Sequence, residues 1–474
     1  MNKFISASMW NFTANLLIRT LSLITYPFIV RNFARGEISI FKAIQALIAI
    51  LVATIPFGTK HLFISSPKNK KKERWNVTFF VSLFISVLLI LFVNLDNKLL
   101  VSIFGYKYKF LNNYTFTFII AILSAKSLLL ISLMNQIDFK SISLSLLIKQ
   151  VIFYSAIIIF SLLPSIPNIL IIILILSEIL EISLLAFFSI KKGVRFFPYN
   201  HVKFQIDKIS KKFIMFMGGE QVFNILALHL PSIFVVYVMG KNLAPEFQLP
   251  FYAINVPASL IMMSVSKVIF PYMSELREDD LMRRVFSSVV FVLTFLVIPM
   301  LILISIFNKE IVAIIFEKSW INAAFAVKYF PIMIFINVIS NPFTTIAAIK
   351  EKPQITLIYS VCLFIFRMTA IYVGFSVWGF KGSILLFIAV DVIIRLIRLN
   401  IDLSLIDLQV RQFISNIKYN LICGMQLIVT YIILFKFLDS KIISAVISFL
   451  LWSVTSYYFE KKRILRVLTR ILKR

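Results

Sequence analysis

A chain of 474 residues that is 60% hydrophobic, only 15% charged and +0.94 in mean hydropathy has too little polar sequence to clothe a soluble globule of its size. Its formal net charge of +28 sits in loops beside apolar stretches, not on a folded basic surface with polar or aromatic readers, which excludes a nucleic-acid-binding protein. The class is therefore an all-α integral membrane protein. Each apolar stretch runs about 20 residues, enough for a helix to cross roughly 30 Å of hydrocarbon, where the backbone must bond within its own segment.

In chain order, about 14 transmembrane helices are predicted: near 10–33, 38–63, 76–95, 114–135, 142–163, 167–190, 213–239, 247–270, 285–307, 323–348, 355–378, 382–404, 419–438 and 440–459. The breaks carry turn chemistry at Pro164 and Pro167, at Gly240-Lys241-Asn242 and at Lys352-Pro353. Only Leu438-Asp439-Ser440-Lys441 separates the last two spans, and the longest connection, Lys191 to Lys212, is too short to fold as a soluble domain. The first span contains Arg19 and lacks a small-x-small cleavage site, so it is expected to stay as an anchor and not to be removed as a signal.

Basic residues crowd into alternate loops. Lys68, Lys70, Lys71, Lys72 and Arg74 follow span 2, and Lys191, Lys192, Arg195, Lys203, Lys208, Lys211 and Lys212 follow span 6. The face they share with both termini holds about 28 Lys and Arg against about 11 on the other, so the positive-inside rule makes it cytoplasmic. From Glu460 the chain turns basic and amphipathic: Ile464, Leu465, Val467, Leu468, Ile471 and Leu472 share one helical face. That suits an interfacial cytoplasmic tail on anionic membrane lipids, the plainer alternative being a solvated basic tail.

A weak internal repeat runs through the chain. Pro27 and Gly36 stand nine apart, as do Pro231 and Gly240, at an offset of 204. Further on, Phe104 matches Phe316, Ile137 matches Ile349 and Lys140 matches Lys352 at an offset of 212. An offset of six spans preserves membrane orientation, so the repeat is parallel. It divides the chain into two six-helix pseudo-repeated lobes, 1–206 and 207–410, around a central cavity, with an extra helix pair at 411–459 and the tail at 460–474. Such lobes point to a transporter whose substrate site lies between them near mid-membrane.

Three segments resemble the polysaccharide, or O-antigen (Wzx-type), flippases of the multidrug/oligosaccharidyl-lipid/polysaccharide exporter superfamily. They are the run from Trp10 to Phe41 with its "YPFIVRNFARGEISIF", the run from Ile254 to Asp280 ("INVPASLIMMSVSKVIFPYMSELRED"), and "NKEIVAIIFEKSWINAAFAVKYFPIMIFINVISNPFTTIAAIKEKPQ". The chain departs from that pattern at Ser39-Ile40, where the family often has a second Gly beside the Phe, and at Glu317, where it usually has Gly. The resemblance implies movement of an undecaprenyl-diphosphate-linked oligosaccharide from the inner to the outer leaflet of the bacterial plasma membrane. A monomer is expected, with a polysaccharide polymerase and chain-length proteins as candidate partners.

Charged residues inside the spans are the candidate site, because a buried charge in a membrane normally faces a bundle interior or a cavity. The cations are Arg19, Lys42, Lys126, Lys149, Lys267, Lys328, Arg367 and Arg395. Arg can hold a phosphate with two parallel hydrogen bonds and Lys as a point charge. The resemblance places family cations of spans 1, 2 and 8 on the cavity. Arg19, Lys42 and Lys267 occupy comparable positions and are the first candidates for the diphosphate, followed by Lys126, Lys149 and Arg367. The alternative is snorkelling to the headgroups, more so for Lys42, Lys267 and Lys328 near span ends than for the deeper Arg19 and Arg367. The acids Glu178, Glu220 and Asp391 are candidates for ion coupling, since a carboxylate in hydrocarbon can carry a proton or bind sodium. Glu178 and Glu181 share a helix face, and Asp391 lies four residues from Arg395, so an internal ion pair is the alternative there. His229 stands two residues before Pro231, as a ligand, a gate or a packing residue.

The sequence contains no GxxxxGK[ST], HExxH or GxSxG, so no enzyme and no cofactor is expected. Cys362 and Cys423, in separate spans, imply neither a disulfide nor a metal site. Two other readings stay open: a multidrug or cation exporter of the same superfamily, which would be expected to line its cavity with acids, and a membrane polysaccharide polymerase, which would be expected to carry a large outer loop.

Overall fold

A computed structural model describes residues 2–64, 66, 70–95, 113–136, 138–163, 166–193, 196–199, 208–275, 279–316, 319–350 and 352–472. Phe104, Ile137, Pro164 and Glu317 lie outside the described residues, as do the side chains of Lys267 and of the tail from Phe459. Among the described residues every regular element is a helix. In order they are α1 (Asn2–Asn32), α2 (Arg35–Thr54), α3 (Thr59–Ile64), α4 (Lys71–Leu95), α5 (Asn113–Asn135), α6 (Phe139–Ser161), α7 (Ile169–Lys191), α8 (Lys208–Met239), α9 (Ala244–Glu275), α10 (Asp279–Ile306), α11 (Asn308–Ile315), α12 (Ile321–Ser340), α13 (Ile346–Ile349), α14 (Pro353–Ser404), α15 (Val410–Leu438) and α16 (Lys441–Leu472).

Eleven helices are long and apolar enough to cross a membrane, among the described residues. The other three expected spans fall on α9 and on the two arms of α14. The arms part at Gly379, whose φ of 66° and ψ of −155° interrupt the helix in a region open to glycine and closed to most side chains. The reversal brings backbone against backbone: a Cβ on Gly374 would stand 2.6 Å from the Cα of Ser383. The tail differs from expectation in its connection. With no Pro or Gly between Lys441 and Leu472 to break it, α16 runs unbroken from the last span to Leu472.

The chain groups into two compact units, and these cut across the expected lobes. Unit 1 holds Met1–Leu249, Ala313–Trp320 and Pro353–Phe387; unit 2 holds Pro250–Val312, Ile321–Lys352 and Ile388–Arg474. In unit 1, α1 packs on α6, α2 on α8, and α5, α6 and α7 pack together. In unit 2, α10 packs on α12 and α15, and α15 on α16. The core of unit 2 includes Phe286 of α10 and Phe343, stacked at 4.8 Å between ring centroids, with Phe413 of α15 set edge-on to Phe343. Such aromatic pairs add to the dispersion that drives helix association where lipid removes the hydrophobic contrast.

Two connections show how polar chemistry starts a span. Asp138 caps α6 by accepting the Ser141 amide at 3.3 Å, and it also pairs with Lys192 at the end of α7. Burial alone would push the Asp138 carboxyl up, but the hydrogen bonds from Lys192 and Ser141 outweigh it and hold the group below the ordinary carboxylate value of 3.8. At α11, burial likewise raises Glu310, and the bond from Lys441 at 2.5 Å outweighs it, so Glu310 sits below its ordinary value.

Candidate functional site

The intramembrane charges fall into groups that differ in what holds them. The largest group joins three helices of unit 1. Glu178 and Glu181, three apart on α7, present both carboxylates on one face. Lys126 of α5 donates to Glu178 Oε2 at 2.6 Å and to Glu181 Oε2 at 2.7 Å. Lys149 of α6 donates to Glu181 Oε2 at 2.8 Å and closes the set on Glu178 Oε1. All four residues are buried, none more than 7% exposed. Two ammoniums and two carboxylates sum to zero, so the cluster satisfies itself. Lys126 and Lys149, expected as phosphate ligands, are here committed to carboxylates, and Glu178 is held by two cations.

Arg367 is committed in another way. Pro231 interrupts α8 from within and has no N–H to give the carbonyl four residues earlier, which is that of Ala227. Arg367, on the first arm of α14 and 2% exposed, donates from Nη1 to that Ala227 carbonyl at 2.5 Å. Its guanidinium also lies 5.2 Å from the ring centroid of Phe387. The cation thus occupies the acceptor that the proline frees, two residues from His229. No motif in the sequence couples positions 140 apart, so this role was not legible before the fold.

In unit 2 the pairs run along one helix. Arg395 donates to Asp391 Oδ2 at 2.7 Å and to Asn337 Oδ1 of α12 at 2.8 Å. One turn on, Arg398 donates to Asp402 Oδ2 at 2.7 Å and to the Thr344 carbonyl at 3.3 Å. Asp391 takes the internal-pair arrangement. The Arg398–Asp402 pair was missed in the sequence although its signal was there: Asp391, Arg395, Arg398 and Asp402 carry two acid–base pairs at i, i+4.

Lys42 and Arg19, also in unit 1, have neutral polar and aromatic groups among their neighbours. Lys42, in the middle of α2 and 8% exposed, donates to Gln45 Oε1 at 3.2 Å and stands 5.1 Å from the ring centroid of Tyr26 on α1. Arg19, half-buried on α1, lies within electrostatic reach of Tyr154 on α6, whose hydroxyl is hydrogen-bonded with Ser22. Glu220 is half-buried on α8, with the Asn224 amide at 3.5 Å. It follows the point where α8 crosses the α2–α3 turn: a Cβ on Gly58, at φ +74°, would stand 2.7 Å from the Gly218 nitrogen. Lys267 belongs to α9, with its side chain outside the described residues. Lys328 is exposed on α12, 5.1 Å from the ring centroid of Tyr329.

At the start of α2 a second feature went unread in the sequence. Arg35 donates to Glu246 Oε1 at 2.7 Å and to the Ser319 carbonyl at 2.8 Å, with its guanidinium 4.8 Å from the ring centroid of Trp320. Arg31 adds a bond to the Ile314 carbonyl at 2.7 Å. Together they tie the α1–α2 corner to α9 and to the 313–320 segment, all within unit 1.

The profile of a family described as polysaccharide biosynthesis protein matches residues 33–325. Among curated proteins, the chain is similar to the lipopolysaccharide biosynthesis protein WzxC of Escherichia coli (strain K12), 20% identical over 183 residues, which is 38% of this chain and 37% of that protein. It is also similar to an uncharacterized membrane protein in the cps region of Klebsiella pneumoniae, 20% identical over 195 residues and 40% of each chain. The matched stretch is thus well under half the length of either relative. Among solved structures, the fold is similar to that of the lipid II flippase MurJ in an inward closed conformation. The TM-score is 0.74 at 16% identity, covering 96% of this chain and 100% of that one. A multidrug resistance MATE family transporter of the MOP superfamily, inward-facing, has a TM-score of 0.59 at 14% identity, covering 84% and 98%.

Proposed function

The chain belongs to the polysaccharide biosynthesis protein family, and from that membership we propose that it is a flippase, a transporter and not an enzyme. Its substrate in this reading is an undecaprenyl-diphosphate-linked oligosaccharide, an O-antigen or other surface-polysaccharide repeat unit. It carries this lipid from the cytoplasmic to the outer leaflet of the bacterial plasma (inner) membrane. The observation that carries the reading is the fold, shared with a lipid II flippase along 96% of the chain. The physics agrees. The prenyl tail stays in the bilayer, and only the anionic diphosphate and the sugars need a wet cationic passage.

The lobes 1–206 and 207–410 rock to alternate access, with both termini cytoplasmic and the protein acting as a monomer. Diphosphate contact falls to Arg19, Lys42 and Lys267. Lys126, Lys149 and Arg367 serve the scaffold, a division supported by their carboxylate and carbonyl partners. Glu220 is the candidate for coupling to a proton or sodium gradient, while Glu178 and Asp391 balance neighbouring cations.

The test is reconstitution in proteoliposomes with a fluorescent undecaprenyl-diphosphate oligosaccharide, read by its exposure to a membrane-impermeant sugar-modifying enzyme. Flipping that requires the protein, and that drops about tenfold or more in Lys42→Ala while Lys42→Arg retains most of it, is the expected result. A tenfold drop corresponds to about 1.4 kcal/mol, close to the low end of what one charge-assisted bond contributes. No protein-dependent flipping, alongside cells lacking the protein that make only shortened polymer, would replace this reading with a polymerase.

A further inference from the structure

Within unit 2, α10, α12 and α15 line an open pocket of about 700 Å³, in the size range of sites that hold drug-sized ligands. Its walls are apolar: Ile302 of α10, Ile332 and Phe335 of α12, and Met425 and Ile428 of α15. Gly424 lets α15 approach α10 closely; a Cβ there would stand 2.6 Å from Ile298 Cγ2. The polar lining comes from Ser305, Asn308, Lys328 and Tyr431. Two of these are turned inward to the backbone: Ser305 donates to the Lys328 carbonyl at 3.1 Å, and Asn308 donates to the Ser305 carbonyl at 2.7 Å. The Lys328 ammonium is left facing outward over the Tyr329 ring, with no carboxylate partner among the described residues.

That arrangement has an energetic consequence. Lys328 lies six residues inside the Asn322–Thr344 span, about 9 Å along the helix. A lysine at that depth must reach headgroup level or find an anion. Glu310, on the short helix α11, already pairs with Lys441. Lys328 therefore presents one cation beside an open, mostly apolar pocket on a membrane-spanning helix. An amphiphile with a negative head and a hydrocarbon tail complements both features.

We propose that this pocket binds one acyl chain of a resident anionic phospholipid whose phosphate pairs with Lys328. Basic sites between membrane helices recognise such headgroups by the same chemistry. The lipid wedges α15 against α10 and α12 and is not itself transported. The site rests on the membrane fold alone, so its failure would leave the flippase reading untouched.

The test uses the full chain in nanodiscs containing photoreactive diazirine phosphatidylglycerol or the matching phosphatidylcholine, with labelled peptides mapped by mass spectrometry. Phosphatidylglycerol is expected to label residues 421–432 about fivefold more than phosphatidylcholine, the factor one lysine–lipid contact of about 1 kcal/mol provides. Lys328→Glu should erase that preference while leaving phosphatidylcholine labelling in place, which shows the variant folded. Met425→Trp, filling the pocket, should reduce labelling by both lipids. Equal labelling by the two lipids, or a preference that survives Lys328→Glu, would overturn the proposal. So would displacement of the label by equimolar undecaprenyl diphosphate, which would give the pocket to a polyprenyl tail.

Discussion

In unit 1, Lys126, Lys149, Glu178 and Glu181 neutralise one another across three helices; in unit 2, Asp391–Arg395 and Arg398–Asp402 neutralise one another along a single helix. Along a helix, residues four apart are neighbours whatever the rest of the chain does, so those pairs are local features. The arginines then use their remaining N–H groups on Asn337 and the Thr344 carbonyl. The cluster of four has no local existence. Its members meet only once α5, α6 and α7 are docked, and each carboxylate then takes two ammoniums. It is a clasp between helices, and it should respond to damage as a unit.

The largest effect is expected from breaking that clasp. Glu181→Ala leaves two buried ammoniums facing one carboxylate and should cost about 3–5 kcal/mol, seen as a fall in detergent Tm and in membrane-inserted yield. Replacing all four members with apolar residues of similar volume should recover most of the loss. An unchanged Tm in Glu181→Ala would erase the distinction between the two regions. In unit 2, Asp402→Ala should cost less, about 2–3 kcal/mol, because Arg398 keeps the Thr344 carbonyl.

A third perturbation sharpens the comparison by asking whether a cation can serve a carbonyl as it serves a carboxylate. Arg367→Met should cost about 1.5–3 kcal/mol in thermal or denaturant stability. The cost should shrink when Pro231→Ala restores the N–H that Ala227 lacks. A double-mutant cycle that is additive within about 0.5 kcal/mol would separate the two residues.

The smallest effect belongs to Asp138–Lys192, where the lysine is 42% exposed and solvent screens the pair. Its sign is definite. The folded carboxyl sits below its unfolded value of 3.8, so its contribution is complete above that pH and is lost as pH falls through the lower folded value. The Tm advantage of wild type over Asp138→Asn, worth within about 1 kcal/mol, should therefore be flat from pH 7 to 5 and fade below about 4. An advantage that grows on acidification would contradict this.

Much of the fold could be read in advance, and the reason is physical. Whether a segment crosses a bilayer depends on roughly 20 consecutive residues, a property present in every stretch of primary structure. The helix from Asn113 to Asn135 and that from Phe139 to Ser161 therefore fell close to where hydropathy placed them. Likewise, Asp391 and Arg395 could be paired on paper, because helix geometry alone brings them together.

The site was harder. Arg19, Lys42, Lys126, Lys149 and Arg367 look alike in one dimension, as single cations in apolar helices. Only docked helices reveal that Lys126 meets carboxylates 52 and 55 positions away, that Arg367 reaches a proline-freed carbonyl 140 positions back, and that Lys42 stands among an amide and aromatic rings. Composition and periodicity settled that this chain is a bundle of membrane helices, since solvation in lipid acts segment by segment. Which buried charges are already satisfied was decided by packing, because a charge is neutralised by whatever lies within a few ångströms in space, however far away it lies in the chain.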